Sequence, residues 1–298
     1  MTRRFVVALL AVSSLALATD ARWLGAASAV EGYRADLVNR EVLRVCTDPA
    51  NMPFSNNKGE GFENKIAQII GAELKIPVEY TYFPQATGFL RNTLFAKRCD
   101  LVIGTGQGDP SLLNTNAIYA SAYVLLYRPN HGLNGVDSLF GPRLKDKRIG
   151  VVAGTPPSTL MAKAGLMGKA KPYPLFVDRR YSSPAEDMVK DIRSGAIDAG
   201  VLWGPIGGYL ASRGGEKLTL VPLTKDENGG RMEFRITMGV RQGDALWKRQ
   251  LNDIIRKRQG DIDRVLLEYG VPLLDDDGKP ITEPRVQDRM AIGRLAPH

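Results

Sequence analysis

At 298 residues the chain has room for two ordinary domains, each with its own core. Its 44% hydrophobic and 24% charged residues are those of a globular protein, and 31 Gly with 18 Pro fall short of a low-complexity chain. The formal charge of +8 biases encounter toward acidic partners or an anionic membrane surface; nucleic acid is set aside, because the densest basic stretch (Lys248, Arg249, Arg256, Lys257, Arg258) lies on a helical pattern among acidic neighbours.

Arg3 and Arg4 precede an apolar run, Phe5 to Ala18, too short to span a bilayer, so residues 1–29 are expected to be a cleaved signal peptide. Small-x-small sites end at Ala18 and at Ala29, and loss of 1–29 removes three Arg and one Asp, leaving a charge of about +6. No Cys follows the run to carry a lipid anchor, and no later run reaches the length of a transmembrane helix. An exported, periplasmic chain is the expectation. Cys46 and Cys99 are then read as a disulfide, on compartment, with two buried thiols as the alternative.

Strands are predicted at Val42 to Cys46, Val78 to Phe83 and Leu101 to Ile103, with helices at Phe62 to Leu74 and Gly88 to Lys97 between them. A Gly-rich loop follows, Gly104 to Asp109. Tyr123 to Tyr127 reads as a strand that leads into a crossing segment, Pro129 to Pro142. A fresh series begins at Arg148 to Val152. It continues with a helix near Ser158 to Ala164, a strand near Leu175 to Val177, a helix from Pro184 to Ser194 and the strand Ala199 to Trp203. Ile236 to Val240 returns as a strand, Leu246 to Leu267 is helical, and the polar residues after Pro272 are expected to be loosely attached.

This order implies a nested α/β architecture. Residues 30–126 and 237–298 form one discontinuous lobe and 127–236 the other, with two crossing hinge strands pivoting near Tyr127, Arg128, Met238 and Gly239. Ligands of such sheets sit beyond the carboxyl ends of the strands, so the loops of both lobes are expected to face one cleft.

The order resembles the type II periplasmic solute-binding proteins that feed ABC transporters. Cys99-Asp-Leu-Val-Ile-Gly104, the run Leu144 to Thr155, Ile192 to Gly200, Met238 to Asp244 and Leu266 to Val271 carry the likeness across nearly all of the chain after its leader. A narrower match, Arg44 to Asn56 followed by Gly59 to Ala67, is similar to the J-type proteins of methanol-oxidation gene clusters, the MxaJ and XoxJ group. That resemblance implies a periplasmic accessory to a PQQ-dependent, calcium- or lanthanide-dependent methanol dehydrogenase, helping its maturation or activation. The alternative is a receptor delivering a small non-amino-acid solute to an ABC transporter.

Two departures from the amino-acid-binding branch bear on the ligand. That branch places an Arg shortly after the third-strand loop, to fork a substrate carboxylate, and an Asp after the second-lobe strand for the ammonium group. Here Gly108 to Asn116 holds no Arg, and the strand ends Val201-Leu-Trp203-Gly-Pro205. A small-molecule or peptide guest other than an amino acid is expected.

The candidate cleft residues are Asp48, Asn51, Phe54, Phe62, Glu63, Gly104, Thr105, Thr155 and Trp203. Each also has a plain structural use. Asp48 and Asn51 could serve their own turn with Phe54 packed inward. Glu63 could answer the helix dipole, Thr155 could cap a helix, and Trp203 could be core. The loop from Gly104 lacks the following helix and acidic residue of a dinucleotide site, so no cofactor is expected. Catalysis and metal binding are not expected either: the two histidines are His131 and the terminal His298, and no Ser-His-Asp, Cys-His or HExxH arrangement occurs.

Overall fold

The computed structural model describes residues 38–129, 131–224 and 230–285. The leader and its cleavage sites lie outside them, as does His298. Chain order is β1 (Leu43–Thr47), β2 (Ala50–Asn51), β3 (Ser55–Asn56), α1 (Phe62–Leu74), β4 (Val78–Tyr82), α2 (Phe89–Asn92), β5 (Leu101–Gly106) and β6 (Leu113–Tyr127). There follow β7 (Ile149–Val152), α3 (Pro156–Lys163), β8 (Lys171–Tyr173), α4 (Pro184–Ser194), β9 (Ala199–Trp203), α5 (Gly204–Ala211) and β10 (Thr219–Pro222). The chain then returns through β11 (Glu233–Val240), α6 (Ala245–Glu268), β12 (Leu273–Leu274) and β13 (Pro280–Ile281).

One strand organises the molecule. The first part of β6, Leu113 to Ala122, pairs antiparallel with β11, beside the parallel set β4-β1-β5. Its last part, Tyr123 to Tyr127, pairs with β9 and β10, beside the parallel set β9-β7-β8. Side chains alternate along that last part as a strand requires. Val124 and Leu126 pack with Met188, Ile192 and Leu202, while Leu125 and Tyr127 pack with Val151, Leu160 and Val201. Both faces of the second sheet are thus buried, which is why β7 and β9 read as unbroken apolar runs. The first sheet has its own core, with Val45, Phe62, Ile66, Ile70, Met238, Trp247 and Leu251 together.

Partner exchange occurs earlier in β6 than expected. The Tyr123 N–H donates to Met232 O while its carbonyl accepts from Leu223, and Glu233 faces Ala122. The two crossings therefore meet at Ala122–Tyr123 and Met232–Glu233. Tyr127 sits between Ala199 and Thr219 inside the second sheet, just ahead of Arg128, and Met238 and Gly239 pair with Ile103 and Val102 inside the first. The polar start of β6, with Asn114, Thr115, Asn116 and Ser121, hides the strand's 15-residue length from an apolar-run reading.

Other elements also differ from expectation. The second strand of the second series is Lys171–Tyr173, not 175–177, where Phe176 is 81% exposed. α2 is a single turn, yet Phe89 and Leu94 are still buried. α5 had no forecast. Its Gly208 lies against Gly270, so that a Cβ there would stand 1.9 Å from the Gly270 carbonyl oxygen. Residues 273–285 are tied down: β12 pairs with β6, and Arg285 grips the fully buried Asp263 through Nε at 2.8 Å and Nη2 at 2.7 Å.

Cys46 and Cys99 form the expected disulfide, with Cα atoms 5.4 Å apart. Parallel pairing of β1 and β5 sets Cys46 opposite Val102, and Cys99 enters the same edge just ahead of β5. Beside it the buried Asp100 carboxylate accepts from Arg44 Nε at 2.8 Å and Arg241 Nη2 at 2.6 Å, and its carbonyl accepts from Trp247 Nε1 at 3.1 Å.

Candidate functional site

The carboxyl ends of β1 and β5 and the first turn of α1 meet at one edge of the first sheet, bringing Asp48, Gly104 and Glu63 together. Asp48 is buried and heavily used. Its Oδ1 accepts from Ala50 N–H at 2.8 Å and its Oδ2 from Gln85 N–H at 2.7 Å. Arg179, on the loop after β8 in the second half, brings Nη1 to 3.8 Å of the same Oδ2. Asn51 donates from Nδ2 to Gln85 Oε1 at 2.9 Å, closing the turn. Asp48 and Asn51 thus hold their own turn, and Asp48 also meets the opposite half.

Glu63 is 7% exposed, and its backbone N–H is taken by Phe54 O at 2.8 Å. Its carboxyl meets Gly104 through one oxygen: a Cβ there would fall 2.0 Å from Oε1. Gly104 has φ +85°, a conformation L side chains avoid, so two constraints hold this glycine. Burial, reinforced by the nearby Asp48 charge, pushes the Glu63 carboxyl up to about 8. Tyr119, 2% exposed, feels Glu63 in turn, and burial with that charge raises its hydroxyl well above the ordinary range.

Phe62 is fully enclosed, so it supports this edge rather than lining it. Its ring packs on Phe54 at 5.1 Å, Tyr269 at 5.9 Å and Tyr119 at 6.2 Å. Tyr269 stacks on Tyr209 of α5 at 6.0 Å, so the aromatic chain continues into the second half. Thr105 is turned to Thr237, with their hydroxyl oxygens 3.0 Å apart, and Asn114 Nδ2 donates to Thr237 Oγ1 at 3.0 Å.

In the second half, Thr155 precedes α3, but its hydroxyl donates back to Val152 O at 2.6 Å. Pro156 and Pro157 supply no N–H at the helix start, which weakens the anion site that such a terminus otherwise offers. Trp203 ends β9 half-buried, edge-on to Tyr123 at 5.3 Å and Phe234 at 5.8 Å. These three rings sit at the crossing of the two halves, where Trp203 also packs against the first core. Sequence reasoning missed Tyr119, Tyr123, Arg179 and Phe234. Tyr119 and Phe234 lie in strand segments to which the sequence reading assigned no element, and Arg179 on a segment read as following a strand. His131 is exposed. Among the described residues no group of three or more His, Cys, Asp or Glu could hold a metal, and no helix is long and apolar enough to cross a membrane.

Two nested α/β halves sharing β6, with strand ends of one half facing a loop of the other, define a two-lobed type II periplasmic binding-protein fold. No protein-family profile matches the chain. It is 44% identical to the crystal structure of periplasmic binding protein XoxJ from Methylobacterium extorquens AM1, with TM-score 0.67, covering 78% of this chain and 100% of that one. MxaJ from Methlophaga aminisulfidivorans MPT is 25% identical with TM-score 0.68 and the same coverage. Protein MoxJ of Methylorubrum extorquens AM1 is 30% identical over 247 residues, 78% of this chain and 81% of that protein. The chain belongs to the MoxJ/MxaJ/XoxJ family of periplasmic-binding-protein-like proteins of methanol-oxidation clusters.

Proposed function

We propose that this chain is a non-catalytic, periplasmic accessory of a PQQ-dependent methanol dehydrogenase, lanthanide- or calcium-dependent, and that it assists the enzyme's maturation or activation by holding a segment of it between the lobes. The carrying observation is the 44% identity to XoxJ across the whole of that chain. The site's chemistry supports the reading. An amino acid needs a paired donor for its carboxylate and an acid for its ammonium, and an unpaired buried charge costs several kcal/mol, on the order of a hundredfold or more in affinity. The loop after β5 carries no Arg, and the end of β9 holds Trp203 in an aromatic cluster. Phe54, Tyr123 and Trp203 suit an apolar side chain or peptide backbone better than a zwitterion.

The test is genetic and biochemical. In a strain lacking this gene, the dehydrogenase polypeptide is expected at normal abundance but with low PQQ content and low specific activity. Unchanged PQQ content and activity, with loss of uptake of a small solute, would return the chain to the transport receptors.

A further inference from the structure

Phe176 and Tyr181 are 81% and 84% exposed, and no other large apolar side chain among the described residues exceeds 45%. Both stand on the loop 174–183 between β8 and α4. The loop is held in shape while its rings face water. Arg180 grips Asp178 through Nη2 at 2.6 Å and Nε at 2.9 Å, and the Tyr181 and Ser182 N–H groups donate to the Asp178 carbonyl. Rings presented on a fixed turn lose little freedom when they are covered. Leu175 lies beside Gly154 at the end of β7, and Arg179 reaches Asp48 of the other half, so the loop stands where the two halves meet.

Charge indicates what covers the rings. Residues 123–232, the half that carries the loop, hold sixteen Lys and Arg against ten Asp and Glu, whereas the rest of residues 30–298 is balanced at twenty-one of each. The whole positive excess sits on the half that presents the rings. Such a field draws in an acidic surface and opposes a second copy of the same half. Asp178 on the loop, with Glu186 and Asp187 in the first turn of α4, would be repelled by an anionic bilayer. Exposed aromatic and Arg side chains together are the kind that anchor protein interfaces. We propose that the loop 174–183 is the docking tip for an acidic surface of a partner protein, with Phe176 and Tyr181 entering an apolar pocket there and the charge of this half steering the encounter. This rests on the accessory reading above and names the face of this chain that meets the dehydrogenase.

The probe is the purified PQQ-free methanol dehydrogenase, passed over the immobilised mature chain as wild type and as the double variant Phe176→Ser with Tyr181→Ser. Both rings are exposed, so the double variant should unfold at the wild-type midpoint. It is expected to bind at least about tenfold more weakly, through faster dissociation, while association of both chains slows alike as salt rises. Phe176→Tyr with Tyr181→Phe, which keeps both rings, should bind as wild type does. Equal binding by wild type and the serine variant overturns this inference and leaves the accessory role standing. Association indifferent to salt overturns the acidic partner, and a wild-type chain that retains no dehydrogenase overturns both readings. Two further results overturn the docking tip while sparing the accessory role. One is recruitment to phosphatidylethanolamine–phosphatidylglycerol vesicles, the other self-association in sedimentation, either of them lost in the serine variant while that variant still holds the dehydrogenase at wild-type strength.

Discussion

Arg179 and Asp48 meet across the two halves of the molecule, Nη1 to Oδ2 at 3.8 Å. Asp48 is buried and fixed by its turn, whereas the Arg179 side chain is 44% exposed. A contact of that length on a half-exposed guanidinium is worth about 1 kcal/mol or less and is screened by salt.

Arg179→Ala is therefore expected to leave the unfolding midpoint nearly unchanged while removing this restraint between the halves. Small-angle scattering should give a larger radius of gyration for the variant than for wild type at low salt, and the two should converge at 1 M salt. Superimposable low-salt curves would mean that the contact does not restrain the lobes.

The Cys46–Cys99 bridge predicts no thiol titre in the denatured, unreduced mature protein. Closing a loop of this length is worth about 4 kcal/mol in the chain-entropy account, so Cys46→Ala should lower stability by roughly 2–4 kcal/mol in chemical denaturation. Two reactive thiols would contradict the structure.

Glu63 predicts a pH slope. Its folded pKa of about 8 lies above that of an unfolded carboxyl, so between roughly pH 4.5 and 8 the folded chain holds a proton the unfolded chain has lost. Stability should fall as pH rises through that window, by an amount on the order of several kcal/mol, and then level off. Glu63→Gln should flatten the curve. A wild-type profile rising with pH across the window would show that Glu63 is ionised in the fold.

Gly208→Ala tests the seam between α5 and the turn at Gly270. An added methyl at 1.9 Å from a carbonyl oxygen has no flexible side chain to displace, and overpacking of this kind costs about 1–3 kcal/mol. Denaturation of the variant should show at least that loss; a neutral result would mean the seam yields.

Periodicity carried the parts of the fold where one face is apolar. α1, α4 and β9 begin and end where their patterns do, and the nested order of the two series is visible in the alternation of strands and helices. It failed where tertiary contact overrides pattern. α5 is built on glycines that a propensity reading counts as a loop, and β6 begins with polar residues that hydrogen-bond across the first sheet. At the site, Asp48, Glu63 and Gly104 were nominated from their places after strands or at a helix start. The contact of Glu63 with Gly104 depends on a backbone approach no spacing rule reveals. Arg179 could not be read at all, since its partner comes from the other half of the chain.

The most direct test of the accessory role is binding itself: immobilised mature chain against the purified cognate methanol dehydrogenase in its PQQ-free form, beside calorimetry of the free chain with each of the twenty amino acids. The account predicts retention of the dehydrogenase, slower association as salt rises from a chain of net charge about +6, and no measurable amino-acid heat. Micromolar binding of any amino acid, with no dehydrogenase retained, would contradict it.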